Sequence, residues 1–347
     1  MTPRNTVLVG DVRKRLAELV PDSVDCVVTS PPYFGLRNYQ VDGQIGLEDS
    51  VTAWVDELVS VADGLAEALH PEGTFWLNLG DAYSRHLRFG SPPKSLLLGP
   101  ERLALALTER GWVLRNKIVW AKRNPQPSSV TDRLSATWES VYLFVRSSQY
   151  WFDLDAVRVP HLSRPPRSPT KTDPPTSPPP WAGPLAGTNS GLARLKAAGR
   201  PGHRLGKNPG DVWSHATAGS PGAHFAVFPE SLIERPILAG CPERVCEACG
   251  RGWRRRRSDR NDQGVIEPQC SCDAPWRRGL VLDPFFGSGT VGVVTERLQR
   301  DWLGIELNPK FAQLARERIR SMRSRDEANE GVNDADPAVR TEQGRAA

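Results

Sequence analysis

An α/β fold with a largely parallel central sheet is the architecture this sequence predicts, and three observations carry it. Short strand-like apolar runs alternate with amphipathic helical stretches along the chain. One such run, Val24 to Thr29 (VDCVVT), ends in a stiff Ser-Pro-Pro-Tyr turn. Another, Leu280 to Asp283 (LVLD), ends in a glycine-rich turn that opens a helix.

The elements alternate along the chain. Residues 6–9 (TVLV) read as a strand, closed by Gly10-Asp11. Residues 12–20 place Leu16, Leu19 and Val20 on one helical face. The strand 24–29 follows. Residues 50–69 hold a strong 3.6-residue period with Ser50 or Asp49 as N-cap, and His70-Pro71-Glu72-Gly73 breaks it. Residues 74–79 (TFWLNL), 112–121 and 139–146 read as strands, and 99–110 as a helix stopped by Gly111. The character then changes: 161–190 hold nine prolines, and 161–210 carry eight Lys/Arg against one acid, Asp173. Such a segment builds no core. It reads either as a disordered linker or as a basic arm that orders on nucleic acid. Regularity returns with helices at 229–240, 287–299 and 308–322 and strands at 280–283 and 302–307. The polar tail 325–347 is expected to be disordered.

Composition narrows the function classes. The 347 residues carry a net charge of +5 with a pI near 9.0, a mild basic bias compatible with an anionic partner. No apolar run approaches the roughly 20 residues that span a bilayer. The N-terminus has no signal-peptide core, so a cytoplasmic protein with no membrane partner is expected. The six cysteines are therefore read as thiols or metal ligands before disulfides.

The turn "DPFFGSGT" (283–290) has a clear physical reading. Gly287 and Gly289 permit positive φ and close approach of a ligand to the backbone, and the helix beyond offers free N–H groups. A second strand follows and carries Glu306 about 20 residues on, where an acid can accept hydrogen bonds from ribose hydroxyls. The pattern is G-x-G rather than G-x-G-x-x-G, so the ligand need not carry a pyrophosphate. An adenosine with an amino-acid tail would suit Asp283, whose carboxylate could sit near an ammonium.

Together, "TSPPY" (29–33) and "DPFFGSGT" resemble the catalytic and cofactor motifs of the DNA amino-methyltransferases. The catalytic motif comes first, which is the permuted β arrangement of that family. The resemblance covers residues 5–160 and 212–322. It implies a Rossmann-like fold that takes S-adenosylmethionine as cofactor and methylates N4 of cytosine or N6 of adenine in double-stranded DNA. It further implies that Ser30, Pro31, Pro32 and Tyr33 form the catalytic motif. The Ser30 side chain and Pro31 carbonyl hold the two N–H bonds of the amine, the prolines stiffen both acceptors, and Tyr33 stacks on a flipped base. Asp283, Phe285, Gly287, Gly289 and Thr290 match the cofactor loop and Glu306 the ribose acid. Asp11 matches the adenine-side segment and Phe225 the methionine end. Trp120 and Lys122 match the strand flanking the base pocket, and Asp81 is a further strand-end acid. Serine at position 30 is commoner among the N4-cytosine enzymes, so N4-cytosine is favoured and N6-adenine is the alternative. An inactive DNA-binding module and a dinucleotide-dependent oxidoreductase are the readings from other classes. The protein is expected either to have a cognate restriction endonuclease as partner or to act as an orphan.

On this resemblance the chain divides into a catalytic half (5–160), a variable target-recognition region (161–211) and a cofactor-binding half (212–242 and 279–322). Residues 243–278 form an insert. Within it, Cys246-x2-Cys249 and Cys270-x-Cys272, with 20 residues between the pairs, have the spacing of a four-thiolate zinc site. One zinc ion in a small ribbon is expected, with the five arginines of 250–257 facing phosphate. Cys26 and Cys241 read as core.

Overall fold

The computed structural model describes residues 1–161, 203, 205–217, 228–258 and 261–333. Two compact units divide the chain. The first comprises Met1–Phe152, Asp211–Arg254 and Glu267–Ala347, and the second Asp153–Gly210 and Arg255–Ile266.

The strands in chain order are β1 (Thr6–Val9), β2 (Val24–Thr29), β3 (Leu69–Leu79), β4 (Val113–Lys122), β5 (Trp138–Val145), β6 (Val212–His215), β7 (Val245–Cys246), β8 (Arg254–Ser258), β9 (Asn261–Glu267), β10 (Trp276–Arg277), β11 (Leu280–Asp283) and β12 (Asp301–Glu306). The helices are α1 (Val12–Leu16), α2 (Val51–Ala68), α3 (Gly99–Glu109), α4 (Glu230–Gly240), α5 (Thr290–Arg297) and α6 (Pro309–Asn333). Eight strands of the first unit form one sheet in the order β1-β12-β11-β2-β3-β5-β4-β6. Only β5 runs against its neighbours. The expected, mostly parallel sheet is therefore present. No helix among the described residues is long and apolar enough to cross a membrane.

The pairing that matters for the site is β2 with β11, where Leu282 lies opposite Val27. Two strands more than 250 residues apart in sequence become parallel neighbours, and both motif turns leave the carboxyl end of the sheet. All six residues of β2 are buried, as parallel strands covered on both faces require. Asp25 is an acid inside that run, only 3% exposed. Its carboxylate accepts from both terminal nitrogens of Arg277, at 2.5 and 3.1 Å, and from the Leu280 amide at 2.7 Å. The buried charge is thus fully paired, and it ties β2 to the segment entering β11.

Helix α2 shows how the local sequence sets the elements. Ser50 caps it, its Oγ accepting from the Ala53 amide at 3.2 Å. Trp54, Leu58 and Leu65 are among the residues it buries against the sheet. The helix stops at Ala68 as expected. The strand that follows, however, begins at Leu69 and takes in the Pro-Glu-Gly breaker, with a register irregularity between Val24 and Cys26 on its partner. Bulges are where strands tolerate proline.

Several expectations need correction. Helix α1 ends at Leu16, short of Val20. β6 opens the segment assigned to the cofactor-binding half, yet it pairs with β4 at the opposite edge of the sheet. The final helix runs to Asn333 rather than ending near 322, because residues 323–330 hold no Gly or Pro to stop it. Of the supposed disordered tail, 334–347 lie outside the described residues, as do 162–202 of the variable region. Of the segment 243–278, the four cysteines fall in the first unit and residues 255–266 in the second. Within the second unit, Arg158 pairs with Asp155 at 2.6 Å and Arg255 with Asp153 at 3.1 Å.

Replacing Asp25 with Ala leaves the Arg277 guanidinium and the Leu280 amide without their acceptor. We expect a loss of about 3 kcal/mol of unfolding free energy, measured by urea denaturation.

Candidate active site at the strand tips

The tips of β1, β2, β11 and β12 open into a cleft of about 150 Å³. Eight of the residues singled out from sequence line it: Asp11, Ser30, Pro32, Asp283, Phe285, Gly287, Thr290 and Glu306. Tyr39, Ile45, Phe228 and Phe311 supply apolar wall that the sequence did not single out. Phe228 stands three residues beyond Phe225, which lies outside the described residues. Tyr39 and Phe311 meet edge to face at 6.1 Å.

Hydrogen bonds fix the glycine-rich side. Thr29 Oγ1 donates to Asp283 Oδ1 at 2.6 Å, and the Phe285 amide donates to the same oxygen at 3.0 Å. Glu306 accepts from the Gly287 amide at 2.7 Å and from the Asn308 amide at 2.8 Å. Asp283 is buried. Burial, with a smaller push from the Glu306 carboxylate, raises its pKa to about 7 against the pull of Thr29 and the Phe285 amide. Burial also raises Glu306. Two acids at adjacent strand tips, both reluctant to ionise, make a site suited to a ligand bearing positive charge and hydroxyls. Gly289 precedes α5 with φ +78°, and a Cβ there would lie 2.9 Å from the Ala315 Cβ. Its role is to let the turn pack on α6 rather than to line the cleft. On the opposite wall Asp11 caps α1, accepting from the Arg13 amide at 2.9 Å. The Arg13 side chain holds its carboxyl below the usual range.

The Ser-Pro-Pro-Tyr turn is pinned from beneath. The buried indole of Trp54 donates to the Pro32 carbonyl at 3.0 Å. Pro31 is buried, and Tyr33 turns inward rather than standing up in the cleft. Its hydroxyl donates to Glu139 Oε2 at 2.7 Å, and Ser30 Oγ donates to it at 3.2 Å. Its ring lies on Gly80, where a Cβ would come within 2.7 Å of the Tyr33 Cε2. Burial, then the Glu139 carboxylate, holds the Tyr33 pKa well above its ordinary value, so the phenol stays protonated. Asn78 Nδ2 also donates to Glu139 Oε2, at 3.2 Å, and Lys122 Nζ to Oε1 at 2.5 Å. Neither Glu139 nor Asn78 was singled out from sequence, where each reads as one polar residue in an apolar strand. The other candidates have structural partners. Trp120 is buried and donates to the His215 carbonyl at 3.1 Å. Asp81 accepts from the Leu98 and Gly99 amides at 2.9 and 3.1 Å and so caps α3.

A second cluster lies in the same unit. The sulfur atoms of Cys246, Cys249, Cys270 and Cys272 all lie within 4.8 Å of one another, and none is in a disulfide. β7 and β10 pair beside it, Trp276 opposite Cys246. Cys26 and Cys241 are fully buried.

The N6/N4 family model described as DNA methylase matches residues 24–317. The Type II methyltransferase M.SmaI of Serratia marcescens is 33% identical over 334 residues, 90% of each chain. M.Cfr9I of Citrobacter freundii is 34% identical over 335 residues, 90% of this chain and 87% of its own. Among solved structures, the cytosine-N4-specific PvuII DNA methyltransferase has a TM-score of 0.56 at 19% identity, covering 94% of this chain and 93% of its own. A DNA modification methylase of Thermus thermophilus, described as putative, was solved with S-adenosyl-L-methionine. It has a TM-score of 0.51 at 22% identity, covering 91% of this chain and 95% of its own. At these identities the two structures establish the fold alone.

Replacing Thr29 with Val removes the hydroxyl that favours the Asp283 carboxylate. We expect the Asp283 pKa to rise above about 7, read by carboxyl ¹³C NMR titration. The sign for folding follows from linkage. A carboxyl whose folded pKa exceeds its unfolded one contributes stability below the unfolded value and loses it as pH rises through about 7.

Proposed function

The chain belongs to the N6/N4 DNA methylase family and is a DNA methyltransferase; within that family we propose that its cleft methylates the exocyclic N4 of a cytosine flipped out of duplex DNA. The observation that carries this reading is the meeting of Ser30 and Pro32 with Asp283, Gly287 and Glu306 around one cleft. Its match to Type II methyltransferases supports a place in restriction–modification.

The residues fit S-adenosylmethionine. Glu306 would accept hydrogen bonds from the ribose hydroxyls, and the apolar walls at Tyr39, Ile45 and Phe311 would enclose the adenine. Buried Asp283 would meet the ammonium of the amino-acid tail. When bound, this cofactor supplies a methyl group activated by its sulfonium.

The chain's own task is to prepare the amine. An exocyclic amine is a poor nucleophile because its lone pair is delocalised into the ring. Ser30 Oγ and the Pro31 carbonyl, held by the rigid proline turn, would accept its two N–H bonds and draw nitrogen toward a tetrahedral shape that frees the lone pair. Positioning of this kind is the principal catalytic lever. Tyr33 would support the flipped base through its ring edge, since its hydroxyl is committed to Glu139. Serine at position 30 supports N4-cytosine over N6-adenine.

The four clustered thiols suit a structural Zn²⁺, whose thiolate bonds of about 2.3 Å need sulfurs about 4 Å apart. Such a site would hold the β7–β10 knuckle beside the Arg277–Asp25 pair.

Replacing Ser30 with Ala is expected to lower methyl transfer from labelled S-adenosylmethionine about 100-fold or more while cofactor affinity stays unchanged. Full activity in the variant would overturn the assignment. Metal analysis of the native protein is expected to give about one zinc per chain, lost in the Cys246→Ser/Cys249→Ser variant. Native protein without metal would refute that site.

A further inference from the structure

A serine in the acceptor position poses a problem that an aspartate does not. A carboxylate can only accept hydrogen bonds, whereas a hydroxyl can also donate one. A Ser30 proton aimed at the substrate nitrogen would occupy the lone pair that must attack the methyl group. Something has to turn that proton away from the cleft.

We propose that Glu139 does this through Tyr33, as a positioning residue that sets the direction of the hydrogen-bond chain ending at Ser30. Tyr33 has one hydroxyl proton and two acceptors in reach: Glu139 Oε2 at 2.7 Å and Asn78 Oδ1 at 3.3 Å. The carboxylate oxygen is the nearer and stronger acceptor, so it takes the proton. The phenol oxygen then accepts, and Ser30 Oγ stands 3.2 Å away with one proton to give. With that proton committed to Tyr33, Ser30 presents only lone pairs to the cleft it lines.

The surroundings hold this direction. Lys122 Nζ sits 2.5 Å from Glu139 Oε1, with side chains only 21% and 13% exposed, and this ion pair leaves Oε2 as the oxygen that faces Tyr33. Asn78 spends its amide N–H groups on Glu139 Oε2 and the Ser140 carbonyl, each at 3.2 Å, so its oxygen is the end left toward Tyr33. Gly80 leaves room for the ring to reach the carboxylate. The chain therefore runs Ser30 to Tyr33 to Glu139, and Lys122 closes it. It draws on the tips of β2, β3, β4 and β5, and one misplaced proton at the far end would make Ser30 a donor.

This inference rests on the proposed role of Ser30, and the experiment separates the two. Tyr33→Phe keeps the ring and breaks the chain; Glu139→Gln keeps the shape and removes the charge. Single-turnover methylation of duplex DNA is measured alongside dissociation constants for S-adenosylmethionine and for DNA. Each variant is expected to methylate at least about 30-fold more slowly, with both dissociation constants within about twofold of the parent. The double variant is expected to be no slower than the slower single, because both changes cut one chain. Unchanged rates in Tyr33→Phe and Glu139→Gln, with Ser30→Ala inactive, would overturn the role of Glu139. So would losses in the two variants that multiply in the double, or that appear only as weaker binding. A fully active Ser30→Ala would instead remove the reading on which the inference stands.

Discussion

The hydrogen bond from Thr29 to Asp283, 2.6 Å long and spanning 254 residues of sequence, is the contact around which the site is built. Thr29 is the last residue of β2 and Asp283 the last of β11. Because these strands are parallel neighbours, their exits are fixed side by side. The proline turn and the glycine turn must then face a shared opening. Ligand sites in open α/β sheets form in this crevice at the carboxyl ends of the strands. The remaining layers serve that juxtaposition: α2 supports the proline turn through Trp54, and α6 packs on the glycine turn through Ala315.

The two sides of the cleft differ in electrostatic design. On the glycine side, Asp283 and Glu306 are buried close together, and each resists ionising. Such burial is unfavourable by itself and is offset beside a cation, a pattern common at functional sites. On the proline side the charges are already balanced. Glu139 has Lys122, and the neutral groups between them and Ser30 form a directed chain. One side carries two buried acids, and the other a polar arrangement set by the protein's own groups.

Much of this was legible in the sequence because its signals are local. The β2 run, the glycine turn and the capped period of α2 each follow from steric and hydrogen-bonding preferences within a few residues. The cysteine spacing was legible for the same reason, and the four sulfurs do converge. Glu139 was not legible, because what distinguishes it is the antiparallel pairing of β5 with both β3 and β4, a tertiary fact. The inward turn of the Tyr33 hydroxyl was not legible for a related reason: nothing in the motif reveals that Gly80 leaves a slot for its ring. The partner of Asp25 was not legible either, because Arg277 returns to it from more than 250 residues away in sequence. β6 escaped notice because a four-residue edge strand has too little pattern to register.

The central claim is that the two motif turns make one active site for an exocyclic cytosine amine. Mass spectrometry of nucleosides from duplex DNA incubated with the protein and isotopically labelled S-adenosylmethionine tests it most directly. The account predicts label in N4-methylcytosine. Label confined to N6-methyladenine or to 5-methylcytosine, or no label in the DNA at all, would contradict it.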